Sequence, residues 1–165
     1  MPMRGLLPSL ASILLILATE PVLAEWRYLA PGDGEQNVHR AFAFAEKGDD
    51  RLEFACNSKR RDLFYSVAQT VSKPELDKLK GGNPTVLVRL DGVGVLPLDA
   101  DEAYQKDGRL IFVTAVTPKF IKDLGKASQP VAAGMQANGK IVRQGQFPKD
   151  GLPAALKRLA AGCGF

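Results

Sequence analysis

The sequence predicts an α+β domain made mainly of antiparallel strands, a sheet or sandwich, with two to three short packed helices and a C-terminal helix tethered by a disulfide. Three observations lead there. Short runs of alternating apolar residues are separated by tight-turn dipeptides, Asp91-Gly92 and Asn138-Gly139 among them. Helical periodicity is confined to three short stretches scattered among those runs. The chain holds 2 cysteines, Cys56 and Cys163, each at the end of an apolar element.

Taken in order, Trp26 and Tyr28 alternate in a short strand ending at Pro31-Gly32-Asp33-Gly34. Arg40 to Glu46 (R-A-F-A-F-A-E) and Arg51 to Cys56 (R-L-E-F-A-C) should form a hairpin. An odd loop would pair Phe44 with Leu52 and Phe42 with Phe54, placing both phenylalanines on the apolar face, and this is the expected register. Leu63, Tyr65 and Val67 face inward from the next strand. Ser72 and Glu75 make a capping box that opens a helix burying Leu76 and Leu79.

Val86 to Leu90 and Val93 to Leu96 flank Asp91-Gly92, so a two-residue turn would match Leu90 with Val93 and Val88 with Val95. The nearly continuous apolar run Arg109 to Val116 predicts a strand covered on both faces. Thr117-Pro118 caps a helix whose buried stripe is Phe120, Ile121, Leu124 and Ala127. Val131 to Ala137 and Lys140 to Phe147 flank Asn138-Gly139, which sets Met135 across from Val142. In the last helix Leu152, Ala155, Leu156, Leu159 and Ala160 form one stripe, with Pro153 near its start and Gly162 as the expected left-handed terminator.

Residues 1–24 carry the pattern of a signal peptide: Arg4, a mostly apolar run from Leu6 to Ala18, and a small-residue cleavage site at Val22-Leu23-Ala24. No cysteine lies near that site to carry a lipid. Residues 25–165 are expected to be a single exported globular domain, with no transmembrane segment. In an oxidising compartment an isolated cysteine pair reads as a disulfide, here between Cys56 and Cys163. The net charge of +4 comes from scattered basic groups, which suggests weak attraction to anionic surfaces and no nucleic-acid partner.

Catalytic chemistry finds little support. The single histidine, His39, sits in the lead-in to a strand, and no serine lies in a nucleophile elbow. With both cysteines committed, no zinc set is available. Asp99, Asp101, Glu102 and Asp107 read as a solvated acidic loop, since the glycine and third aspartate of a calcium loop are missing. No catalytic, metal or cofactor-binding residue is therefore singled out, and no cofactor is expected.

The order of features carries a resemblance. A strand ends in Cys56, Val86 to Asp91 reads V-L-V-R-L-D, and an amphipathic helix spans Phe120 to Leu124. The chain closes on Phe147, Gly151-Leu152, Ala155-Leu156, Leu159 and Cys163-Gly164-Phe165. This resembles the small exported bacterial proteins grouped as type VI secretion-associated, VasI-like. More distantly it is similar to the invasion-associated locus B group, from which the long-range cysteine pair departs. The resemblance implies a β-rich domain of the periplasm, or secreted beyond it, without known catalysis. The expectation is a non-catalytic protein that binds another protein of the envelope or secretion system. The alternatives are a carrier of a small or lipidic ligand and a carboxylate-dependent cell-wall hydrolase. A flat exposed apolar patch would mark the first, a closed apolar cavity the second, and a carboxylate pair in a cleft the third.

Overall fold

The computed structural model describes residues 25–32 and 37–165. The signal-peptide pattern of residues 1–24 and the Asp33-Gly34 part of the first turn lie outside the described residues. The strands are β1 (Arg27–Leu29), β2 (His39–Phe44), β3 (Arg51–Cys56), β4 (Arg61–Val67), β5 (Thr85–Leu90), β6 (Gly94–Asp99), β7 (Glu102–Lys106), β8 (Arg109–Ala115), β9 (Val131–Ala137) and β10 (Lys140–Phe147). The helices are α1 (Lys73–Lys80), α2 (Pro118–Leu124) and α3 (Leu152–Cys163). Two antiparallel sheets form, ordered β1-β2-β3-β4-β8-β7 and β10-β9-β5-β6. They meet where β8 faces β5 and β4 faces β9, while α3 covers the β1–β2 end of the larger sheet. One contiguous core joins both sheets to α2 and α3.

The caps follow the sequence. Ser72 and Glu75 complete the capping box of α1, and the Thr117 hydroxyl accepts the Phe120 N–H at the start of α2. Leu76 and Leu79 are only half-buried, because α1 lies at the rim of the core beside β7. Ala127 falls past the end of α2.

The Cys56–Cys163 disulfide is formed across 107 positions, with the Cα atoms 6.1 Å apart. It fixes the C-terminal end of α3, and Trp26 fixes the other end. The Trp26 indole N–H donates to the Pro148 carbonyl at 2.7 Å, and its backbone N–H donates to that of Asp150 at 2.9 Å. Gly151 permits this approach, since a Cβ there would lie 2.7 Å from the Trp26 carbonyl oxygen. Gly162 is not the helix terminator. It lies within α3, where a Cβ would collide with the His39 ring, and Gly164 takes the left-handed position at φ 73°.

That docking overturns the expected register of β2 and β3. Phe44 pairs with Arg51 and Phe42 with Glu53, so Ala41, Ala43 and Ala45 are buried and the phenylalanines face away. The alternation of β2 offers two apolar faces, and α3 selects the smaller one. A helix held close at both ends leaves room beneath it for alanine, while Leu52, Phe54 and Cys56 of β3 supply the bulk on that side.

Two hairpins also depart from expectation. Leu90 pairs with Gly94, not Val93, and Val88 with Leu96, not Val95. A type I′ turn needs positive φ at both central residues. Asp91 does not adopt it, whereas Gly92 (φ 74°) and Gly94 (φ 99°) do, and the loop takes a third residue. Val93 and Val95 consequently turn to solvent. At Asn138-Gly139 the two-residue turn is present, with φ of 52° and 70°. A bulge at Val142 then sets Met135 across from Arg143. The acidic stretch 99–107 contains a strand, β7, joined to β8 by a type I′ turn at Asp107 (φ 48°) and Gly108 (φ 72°). Ile111 is only half-buried, so β8 is not covered equally on both faces.

Candidate binding face

The inversion in β2 shapes one side of the molecule. On the outer face of the larger sheet, one rung runs Arg27, Phe42, Glu53, Phe64, Val113 and Glu102. The next runs Phe44, Arg51, Ser66, Ile111 and Tyr104. Phe42, Phe64, Ile111 and Tyr104 are half-buried, and Phe44 is 46% exposed. None of these residues belongs to the contiguous core between the sheets, and neither do Val113 and Ala55, which are buried on this outer face.

Charge is laid over the aromatics. The Arg51 guanidinium stands over the Phe42 ring, 4.3 Å from its centroid, and reaches Phe44 at 6.0 Å. The two rings meet edge to face with centroids 6.0 Å apart. Arg40 and Arg51 both bind Glu53, the former at 2.6 Å. Two cations on one carboxylate leave a local positive excess, to which Arg27 adds at the sheet edge. A flat aromatic surface with arginines set into it suits a partner that offers apolar and acidic groups together.

The remaining ionisable clusters have structural partners. Asp50, 1% exposed, accepts from Arg143 Nε at 3.0 and 3.1 Å and from the Tyr65 hydroxyl at 2.6 Å. The bulge at Val142 is what brings Arg143 round to this side. Gly145 leaves space, since a Cβ there would stand 3.3 Å from the Tyr65 oxygen and 3.4 Å from an Asp50 oxygen. The cluster ties the 45–50 loop to both sheets, a bond reinforced by the Glu46 N–H donating to the Gln146 carbonyl at 2.8 Å.

Burial foremost, then the hydrogen bond to Asp50, raises the Tyr65 pKa far above that of an ordinary tyrosine. A folded-state pKa above the unfolded one gives stability that is full below about pH 10 and lost as pH rises further. Tyr65 is therefore expected to ionise only as the protein unfolds in alkali. Ultraviolet titration of the 3 tyrosines checks this, and a Tyr65 that ionises with the fold intact contradicts it.

His39 lies with its Nδ1 2.6 Å from the Tyr28 hydroxyl, and Arg158 stands over the Tyr28 ring at 4.3 Å, so this group braces β1 against α3. The acidic residues do not converge into a ligand set. Asp101 accepts the Ala115 N–H at 2.8 Å, Asp107 makes a turn, and Asp99 and Glu102 line a half-open hollow of about 890 Å³ with Lys80. Among the described residues no group of three or more His, Cys, Asp or Glu is placed to hold a metal. No helix among them is long and apolar enough to cross a membrane.

What the fold and its surface define is a disulfide-closed, two-sheet α+β protein with an open aromatic face. No protein-family model matches the chain, and no curated protein or solved structure matches it significantly.

Proposed function

We propose that this is an exported, non-catalytic binding protein that docks another protein of the cell envelope or secretion machinery on the outer face of its larger sheet. The observation that carries the reading is the inversion of β2, in which alanines are buried and phenylalanines are presented. Large apolar groups grouped on one open face, rather than scattered singly, mark an interaction site. The arginines beside them favour an acidic partner surface. The signal-peptide pattern and the long-range disulfide support export to the periplasm or beyond, and the resemblance to the VasI-like group supports a secretion-associated setting.

Two measurements test this. The exported protein should begin at Glu25 by intact mass, and a soluble cytoplasmic product retaining residues 1–24 would overturn the export reading. A partner captured from native periplasm by the wild type should be bound at least about tenfold more weakly by Phe42→Ser/Phe44→Ser, the loss expected for central aromatic contacts. Equal capture by both proteins removes this face from consideration.

A further inference from the structure

The tip of the β5–β6 hairpin holds an apolar side chain out in the open. A two-residue turn at Asp91-Gly92 would have carried Val93 into the ladder across from Leu90. The third loop residue sets Val93 outside the ladder instead, between Gly92 at φ 74° and Gly94 at φ 99°. A Cβ added to either glycine would meet nothing within 4 Å beyond its chain neighbours, so the tip stands clear of the rest of the molecule. Val93 is 65% exposed, more than Phe44 or Ile141. Val95, 52% exposed, follows on the outer face of the smaller sheet, with Arg89 across from it on β5. The carboxylate at the tip is turned back: Asp91 accepts the Ser128 N–H at 2.7 Å and the Ser128 hydroxyl at 2.9 Å. The Ser128 carbonyl in turn accepts from Lys149 Nζ at 3.4 Å. Val131 pairs with Phe147, so the hairpin tip, the α2–β9 connection and the lead-in to α3 meet at one end of the smaller sheet. On α2, Phe120, Ile121 and Leu124 are buried and Lys122 is exposed. Lys119 and Lys126 share Asp123, whereas Arg89, Lys122 and Lys149 form no ion pair within the described residues.

We propose that this end of the molecule docks on an anionic phospholipid surface, Val93 entering the headgroup region while Arg89, Lys122 and Lys149 lie against the phosphates. The surface is separate from the aromatic face and takes a partner of another kind. An apolar group ringed by unpaired cations matches the layering of a membrane interface, where hydrocarbon lies beneath negative charge. The shape points the same way. A projecting tip offers far less than the roughly 800 Å² per partner of a stable protein interface, whereas a fluid lipid surface closes around it. One valine and a few cations are each too weak to hold the protein alone, so binding is reversible and depends on both.

Co-sedimentation of the exported, disulfide-bonded protein with lipid vesicles tests this, comparing an equal mixture of phosphatidylglycerol and phosphatidylcholine with phosphatidylcholine alone. The expected result is binding to the anionic vesicles at about 50 mM salt, a loss of about tenfold or more at about 300 mM, and no binding to the neutral vesicles. Val93→Ser should weaken binding about fivefold and Lys149→Glu about tenfold, while Val93→Trp should strengthen it. Lys78→Glu, an equal change of charge on α1 beside β7, should leave it nearly unchanged. No sedimentation with the anionic vesicles at low salt would overturn the proposal. Equal losses from Lys149→Glu and Lys78→Glu would also overturn it, since the attraction would then belong to the net charge of the whole protein. Binding lost with Phe42→Ser/Phe44→Ser and kept with Val93→Ser would move the contact to the aromatic face and overturn it as well. All of these outcomes are independent of protein capture by the aromatic face.

Discussion

Replacing Cys56 and Cys163 together by serine is expected to lower the stability to unfolding by about 4–5 kcal/mol, the largest effect of any change considered. The bridge closes a loop of 107 positions, and freeing a loop of that length returns about this much chain entropy to the unfolded state. The native side of the equilibrium loses less, because Leu152, Ala155, Leu156 and Leu159 still pack α3 on the sheet. The double variant should therefore fold to the same structure with a lower urea midpoint. Chemical denaturation of the two proteins measures the difference, and a loss below about 1 kcal/mol would show that closing this loop restricts the unfolded chain far less than its length implies.

Asp50→Ala is expected to cost about 2–4 kcal/mol. The Tyr65 hydroxyl would be left without its acceptor in the interior, at about 1–3 kcal/mol, and the charge-assisted bonds to Arg143 would also be lost. Arg143 itself is 47% exposed in its side chain, so water takes up its charge, and the figure stays below that for a wholly buried ion pair. Asp50→Asn should cost less, since an amide oxygen can still accept from Tyr65. An alanine variant as stable as the wild type would mean that the 45–50 loop closes on its backbone bonds without the carboxylate.

The sequence made some of this legible and concealed the rest for identifiable reasons. The disulfide, the capping box of α1, the Thr117-Pro118 cap and the Asn138-Gly139 turn depend on residues close together or on a count of two, and each is formed. The face of β2 depends on a helix more than a hundred positions away. Its repeat of alanine and phenylalanine is equally compatible with either side, and residue size alone points the phenylalanines to the core. Asp91-Gly92, with Gly94 close behind it, took a longer loop, whereas Asp107-Gly108 made the type I′ turn. The second glycine after Gly92 was the available signal for the first. For β7, the alternation of Ala103 and Gln105 with Glu102, Tyr104 and Lys106 is the signal, outweighed by acidity suited to an edge strand.

The position of the disulfide also decides how the molecule responds to tension. A pull applied at Glu25 and Phe165 loads residues 25–56 and 163–165, and at Cys56 and Cys163 the force passes through the sulfur–sulfur bond. Residues 57–162 lie in the bypassed loop and cannot be drawn out while the bond holds. Only residues 25–56 and 163–165 can lengthen, to about 120 Å fully extended, against about 490 Å for the same stretch without the bond. All of β4 to β10, and with them the whole smaller sheet, are mechanically shielded. The aromatic face is not: β1, β2 and β3 would peel away from it in turn, taking Phe42, Phe44 and Arg51 with them, so its integrity is sensitive to load while the rest of the fold stays closed.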